Sequence, residues 1–166
     1  MLYDILNFFS KSISKILKEN ITEEEIKLLE EIRIRNNQYI ILRFNANEKI
    51  IKYVVTQKDI LETLQNICEN SIYSYQKEIC EGYITIKGGH RIGITGNCVI
   101  ENNKVINIKY ISSLNFRIAK QIIGCSNSML HYIINMENCN IYNTLIVSLP
   151  RRRKNYITSR YCKKYK

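Results

Sequence analysis

The residues best suited to chemistry lie in one glycine-rich stretch, Gly88-Gly89-His90-Arg91-Ile92-Gly93, which continues to Gly96. Its backbone amides and Arg91 could hold a phosphate or a partner's carboxylate. Alternatively, Gly88-Gly89 forms a tight hairpin turn, because glycine tolerates positive φ angles, and the later glycines let the strand bend. We favour the hairpin. A strand and not a helix follows, so this is not a dinucleotide-binding fingerprint. Acid–base chemistry by His90 is disfavoured, since no carboxylate or nucleophile lies near it in the sequence.

The second candidate is Arg117, within Ser112-Ser113-Leu114-Asn115-Phe116-Arg117-Ile118-Ala119. Its strand-like apolar neighbours place it on one face, where a guanidinium can bind a phosphate or an acidic neighbour. A structural ion pair is the favoured role. Together with Arg33, Arg35 and Arg91 it also supports a rival hypothesis, a basic nucleic-acid-binding module. One contiguous basic face would favour that module, whereas scattered arginines would favour a scaffold.

The third candidate is the apolar stretch from Tyr142 to Pro150, because an apolar strand running into a proline-containing loop is how a nucleotide-binding P-loop begins. Such a loop needs glycines so that backbone amides can approach phosphate. Here three arginines at 151–153 follow, and then Lys154 and Asn155. Asn155 does not replace the hydroxyl that meets magnesium in such loops. An active nucleotide-binding enzyme is therefore the least favoured hypothesis.

Charge is divided unequally along the 166 residues. Residues 151–166 contain eight Lys and Arg and no Asp or Glu, which leaves 17 basic against 15 acidic side chains for residues 1–150, or +2 of the formal +10. The domain itself is nearly neutral. We expect the tail to make only salt-sensitive, sequence-independent contact with polyanions such as nucleic acid or acidic lipid.

The composition indicates a folded chain with 45% apolar residues and 12 Tyr. No stretch approaches the roughly 20 apolar residues that a membrane helix needs, and the first residues lack the features of a signal peptide. The six cysteines form no Cys-x-x-Cys pair, so we expect reduced thiols in a cytoplasm, with no disulfide framework. His90 and His131 are too scattered to predict a metal site, and none is expected.

Hydrophobic periodicity predicts an α+β fold in which N-terminal helices accompany a mixed or antiparallel sheet with hairpins. A basic amphipathic helix over residues 3–18 could contact an acidic membrane surface, but packing on the domain is favoured. A capping box at Thr22 begins a second helix. Further helices are predicted over 56–67, 71–80 and 126–135. Strands are predicted over 32–35, 39–44, 50–55, 83–87, 90–94, 98–101, 105–110, 115–118 and 141–147.

These blocks together resemble the stage III sporulation protein AA family, which are ATPases of endospore formers. The resemblance covers roughly residues 22–150, and its two most specific blocks are Gly88 to Gly93 and Ser112 to Ala119. The others are Glu31-Ile32-Arg33-Ile34-Arg35, Gly82-Tyr83-Ile84-Thr85, Gly124-Cys125 and Asn143 to Pro150. The resemblance marks Gly88, Gly89, His90, Arg91, Gly93, Asn115 and Arg117 as family-motif residues.

The resemblance implies an N-terminal α+β domain that the family joins to a RecA-like motor similar to secretion ATPases. Residues 1–20 would be the amphipathic helix, 21–140 the N-terminal domain, 141–150 a remnant first strand of the motor, and 151–166 a basic, disordered tail. Ser148 and Pro150 would stand where the P-loop starts, and Lys154 at its phosphate-binding lysine. The loop's glycines, its hydroxyl residue and the motor domain are missing.

A shift of the reading frame is one hypothesis for the origin of the tail. Codons that are allowed for Arg153 to Cys162, shifted by one base, can spell Gly-Lys-Thr-Thr-Leu-Leu-Arg-Asp-Ile-Val, which is a P-loop ending followed by a plausible helix. We therefore expect a frameshifted, truncated form or a sequencing artefact. Codons in the gene that cannot give those residues would disprove this.

The leading hypothesis is thus the non-catalytic N-terminal domain of a sporulation ATPase, which serves oligomerisation or couples the motor to membrane partners. By resemblance, the intact protein binds ATP and magnesium and powers the mother cell–forespore channel, whereas no cofactor is expected for this chain. Expected partners are further copies of itself and membrane-embedded channel proteins. No specific nucleic acid is expected. The expected location is the mother-cell cytoplasm, at the periphery of the membrane.

Overall fold

The computed structural model describes residues 3–45, 47–120, 130–135, 140–145 and 147. The chain divides into two compact units, residues 1–119 and residues 120–166. The boundary at residue 140 that the sequence predicts for the N-terminal domain stays a prediction. The first unit contains all of the sheet and the N-terminal helices.

The first unit is α+β, as the hydrophobic periodicity predicts. Its helices are α1 (Tyr3–Leu6), α2 (Lys11–Asn20), α3 (Glu23–Leu28), α4 (Gln57–Ile67) and α5 (Gln76–Cys80), with a 3₁₀ turn at Ile72–Tyr75. Its strands are β1 (Leu29–Arg35), β2 (Tyr39–Phe44), β3 (Asn47–Val54), β4 (Tyr83–Ile86), β5 (His90–Glu101) and β6 (Lys104–Arg117). The described part of the second unit contains α6 (Leu130–Ile133) and a bridge between Ile134 and Ile141.

The six strands form one antiparallel sheet in the order β3-β2-β1-β6-β5-β4. Because side chains alternate between the two faces of a strand, cross-strand partners share a face. The row Leu42, Ile32, Phe116, Ile92 and Ile84 is fully buried. This inner face packs on the helices, and the ring of Phe9 lies 4.2 Å from that of Phe116. The opposite, outer face carries polar and charged side chains, together with exposed apolar ones on β3, among them Ile50 and Val54.

A buried carboxylate fixes the N-terminal helices to α4. Asp59 accepts hydrogen bonds from Ser10 Oγ at 2.7 Å, Tyr53 Oη at 3.0 Å and Thr56 Oγ1 at 2.7 Å. Burial raises the pKa of Asp59, but the hydrogen bonds from Thr56, Ser10 and Tyr53 outweigh it and lower the pKa overall. Ser10 also caps α2, since its Oγ accepts from the N–H of Ile13. The helix predicted over residues 3–18 is consequently interrupted before Lys11 and continues to Asn20.

Other elements differ from the prediction because the length of a strand depends on the strands with which it pairs. The segments predicted over 98–101, 105–110 and 115–118 merge into the long strands β5 and β6, which pair with one another through two register shifts. The predicted strand over 141–147 is present only as the bridge at Ile141, and residues 142–145 and 147 lie outside any strand. A strand needs a neighbour to satisfy its backbone groups.

Several predicted features lie outside the described residues. They are Ser148, Pro150, Lys154, the whole tail over 151–166, Gly124-Cys125 and the first part of the helix predicted over 126–135. Within the described ranges, no helix is long and apolar enough to cross a membrane.

Candidate functional site

The two motif blocks meet as neighbouring strands. In the β5–β6 register, Arg91 is opposite Arg117 and Gly93 is opposite Asn115. We call residues 90–93 and 115–119 the motif junction. Because β6 also pairs with β1, Glu31 lies on the other side of Arg117, and Arg33 on the other side of Asn115. The junction thus places Arg91 and Arg117 side by side on the outer face, where both are exposed.

His90 holds the two blocks together instead of facing a reactive group. Its side chain is 6% exposed, and its Nδ1 accepts a hydrogen bond from the backbone N–H of Ala119 at 3.0 Å. Burial lowers the pKa of His90, because the charged imidazolium is poorly solvated there. The ring is therefore neutral, with its proton on Nε2. It ties the start of β5 to the residue two places after β6.

The glycines before His90 are explained by this geometry. Gly88 has a φ of +95° and Gly89 a φ of +80°, and the N–H of Gly89 donates to the carbonyl of Ile86 within the turn. A Cβ added at Gly88 would lie 2.8 Å from Nε2 of His90. Gly88 thus supplies both the turn and the space for the imidazole. The predicted hairpin is confirmed.

The later glycines have different roles. Gly93 sits in the regular ladder, where an added Cβ would be in ordinary contact, 3.8 Å from Cβ of Asn115. At Gly96, by contrast, a Cβ would lie 2.8 Å from both the carbonyl oxygen of Lys109 and Cγ2 of Ile108. The register shifts at this point, between Thr95 and Asn97. The strand bend that the sequence predicts is therefore at Gly96.

An ion-pair network extends the junction across the sheet. Nη2 of Arg33 donates to Glu31 at 3.0 Å, and Nη1 of Arg33 donates to Glu48 at 3.3 Å. Burial raises the pKa of Glu31, but hydrogen bonds from Arg33 and Asn115 and the charges of Arg33 and Arg117 lower it overall. Glu31 is therefore ionised at neutral pH. Asn115 Oδ1 is buried and accepts no hydrogen bond from any described residue.

Arg91 and Arg117 take two different roles. The guanidinium of Arg91 lies 4.1 Å above the centre of the Tyr83 ring, a cation–π contact. Arg117 acts on Glu31 through its charge, without a hydrogen bond to it. The structural ion pair predicted for Arg117 is instead made by Arg33. Arg35 and Arg43 are exposed on the same outer face.

An apolar groove borders this charged surface. A shallow cavity of about 490 Å³ is lined by Tyr39, Ile41, Ile50 and Val54, together with Asn37 and Gln38. Ile50 is 60% exposed and Val54 50% exposed. Ile41 and Ile50 stand in the same cross-strand row as Arg33, so the groove is continuous with the arginines.

The sequence analysis did not identify four of these residues as functional: Arg43, Glu48, Tyr83 and Ile50. The spacing of Glu31 and Arg33, two residues apart on one strand, indicates a shared face. Arg43 and Glu48 meet only through the register of the β2–β3 hairpin, which local periodicity does not specify. In the part of the chain that the structure describes, no group of three or more His, Cys, Asp or Glu side chains could hold a metal ion.

Comparison with known proteins extends these observations. A family model described as "Sporulation stage III, protein AA" matches residues 2–162. The stage III sporulation protein AA of Bacillus subtilis (strain 168) is 33% identical over 151 residues, which are 91% of this chain and 48% of that protein. The chain therefore spans about half the length of this curated relative.

Two solved structures share a more distant likeness. The alignment with the Legionella pneumophila ATPase DotB covers 72% of this chain and 31% of the DotB chain, with a TM-score of 0.44 and 12% identity. The VirB11 ATPase from the Brucella suis type IV secretion system, solved in complex with sulphate, has a TM-score of 0.38 and 8% identity over 99% of this chain and 45% of its own.

Proposed function

The chain belongs to the sporulation stage III protein AA family, and we propose that it is the non-catalytic N-terminal domain of such a protein, acting by oligomerisation or by coupling to partners. The intact protein would power the mother cell–forespore channel. It would use ATP and magnesium at a motor domain, of which Ser148, Pro150 and Lys154 mark the start. The domain itself would present a binding surface and carry out no reaction.

The observation that supports this proposal is the motif junction. Its two blocks lie about 25 residues apart in sequence, yet they pair in register and are tied by the His90–Ala119 hydrogen bond. A catalytic histidine must reach the proton that it transfers. His90 instead is buried, and its Nδ1 is occupied by a backbone N–H. What the junction exposes is the arginine pair, which suits binding.

The remaining parts of the proposal follow from the family. Partners would be further copies of the same protein and membrane-embedded channel proteins, contacted from the mother-cell cytoplasm at the periphery of the membrane. ATP and magnesium would serve the intact protein. Contact of the tail with polyanions would be non-specific, through its lysines and arginines.

Competition in a sporulating cell tests the proposal. The full chain is produced in Bacillus subtilis beside the resident stage III sporulation protein AA, and heat-resistant spores are counted. If these 166 residues, produced on their own, join the same assembly, they should lower the spore yield, because they occupy places that full-length subunits need. An unchanged yield, with the chain shown to accumulate, would contradict the proposal.

A matched pair of variants controls for the burden of expression. Leu17 is fully buried in α2, so Leu17→Asp should unfold the domain and abolish the interference. Lys18 is exposed on the same helix, so Lys18→Asp should leave the interference intact. Equal interference by both variants would show that the effect does not depend on the folded domain.

A further inference from the structure

The outer face of the sheet carries an ordered pattern of charge. One cross-strand row reads, from β3 to β4, Glu48, Arg43, Glu31, Arg117, Arg91 and Thr85. The next row reads Ile50, Ile41, Arg33, Asn115, Gly93 and Tyr83. A third contains Arg35, Ser113 and Thr95. Five arginines and two glutamates thus give these three rows a charge of +3.

The arginines are unequally neutralised. Arg33 is paired with Glu31 and Glu48, and the guanidinium of Arg91 contacts an aromatic ring. Among the described residues, Arg35, Arg43, Arg91 and Arg117 form no salt bridge with a carboxylate, although the charge of Arg117 acts on Glu31. The planar fork of a guanidinium favours carboxylates and phosphates, so the arginines without a salt bridge are free to bind such groups on a partner.

A contiguous basic face is also typical of a nucleic-acid-binding module, so a nucleic acid is the alternative occupant of this face. Two observations favour protein. The carboxylate of Glu31 lies between Arg43 and Arg117, and that of Glu48 lies at the β3 end of the same row. Both would repel the continuous phosphates of a nucleic acid. The apolar groove at Ile41, Ile50 and Val54 adjoins the charges, and apolar surface bordered by arginine is the anatomy of protein interfaces.

We propose that the outer face binds a protein segment that carries carboxylates and, three strand spacings or roughly 14 Å away, an apolar side chain. The carboxylates contact Arg91 and Arg117, and the apolar side chain enters the groove at Ile50 and Val54. The alternation of positive and negative side chains sets the register of the partner. This inference deepens the proposed coupling role and rests on it, because it assigns that role a surface and a partner chemistry.

Binding to defined probes tests the inference on the full chain. To remove the positive charge of the tail, all eight of its basic residues are replaced by Gln in every variant: Arg151, Arg152, Arg153, Lys154, Arg160, Lys163, Lys164 and Lys166. The main probe is an amphipathic helical peptide with glutamates on one side and leucines on the other. Comparison probes are an oligodeoxythymidylate of equal charge and vesicles that contain phosphatidylserine. Affinity is measured by fluorescence anisotropy at low and at physiological salt, with vesicles assayed by co-sedimentation.

Matched variants separate the face from net charge. Arg91→Gln with Arg117→Gln should weaken peptide binding at least about ten-fold, since charged hydrogen bonds are lost. Lys18→Gln with Lys58→Gln removes the same charge from exposed positions of α2 and α4 and should change affinity less than about two-fold. Circular dichroism and urea midpoints confirm that each variant is folded.

A second pair tests the groove. Ile50→Asn should weaken peptide binding about five-fold or more, whereas Leu61→Asn, an exposed residue on α4, should not. Equal losses from the arginine and lysine pairs, or no saturable peptide binding, would overturn the inference. So would tighter binding of the oligonucleotide or the vesicles that depends on Arg91 and Arg117. These outcomes are independent of the spore counts, which test the coupling role itself.

Discussion

Replacing Gly88 by alanine should reveal how the motif junction is built. The new Cβ faces two penalties. A φ of +95° is strained for any residue with a Cβ, which costs about 1–2 kcal/mol. The Cβ would also lie 2.8 Å from Nε2 and 3.0 Å from Cδ2 of His90, an overpacking that adds about 1–3 kcal/mol. Gly88→Ala should therefore lower the free energy of unfolding by about 2–5 kcal/mol.

Two comparisons isolate the imidazole contact. Gly82 has a φ of +83° with nothing within 4 Å of an added Cβ, so Gly82→Ala reports the backbone strain alone, about 1–2 kcal/mol. In a His90→Ala background the steric part should vanish, so Gly88→Ala should cost no more than Gly82→Ala. Urea unfolding followed by circular dichroism gives each value. An equal change in the free energy of unfolding for Gly88→Ala with and without the imidazole would refute the steric contact with His90.

Two further predictions concern buried polar groups. Burial lowers the pKa of His90 below its ordinary 6.5, so the unfolded chain binds the proton more readily than the folded chain. The contribution of His90 to the free energy of unfolding is therefore fully present above about pH 6.5 and is lost as the pH falls below that value. His90→Asn, which keeps an acceptor for Ala119, should flatten the dependence of the urea midpoint on pH between 7.5 and 5.5, and an unchanged slope would count against a buried neutral imidazole. Asp59→Asn should destabilise the chain by about 3 kcal/mol, because the amide cannot accept all the hydrogen bonds from Ser10, Tyr53 and Thr56; a loss below about 1 kcal/mol would contradict that role.

Local signals in the sequence predicted much of the fold. Thr56 and Thr22 carry capping boxes and begin helices as expected, and Tyr39–Phe44 is a strand with the predicted bounds. Gly88-Gly89 forms the predicted turn. These features depend on neighbouring residues alone, so propensity and spacing suffice to find them.

The features that the sequence did not predict depend on distant partners. Ser10 interrupts the N-terminal helix because it bonds Asp59, 49 residues away. The full length of β6 comes from pairing with β5, and β1 adds a second partner at residues 113–117. Likewise, the arginine face exists only because the strand order β3-β2-β1-β6-β5-β4 aligns Glu48, Arg43, Glu31, Arg117 and Arg91 in one row. Residue spacing along the chain does not encode that order.

The central claim is that this domain acts by contact, without catalysis. Counting heat-resistant spores in two strains tests that claim most directly. In a Bacillus subtilis strain without its own stage III sporulation protein AA, the chain should restore no spores. In the strain that keeps the resident protein, the chain should lower the yield, and Leu17→Asp should not. Restored spores in the first strain, or an undiminished yield in the second despite accumulation of the folded chain, would contradict the account.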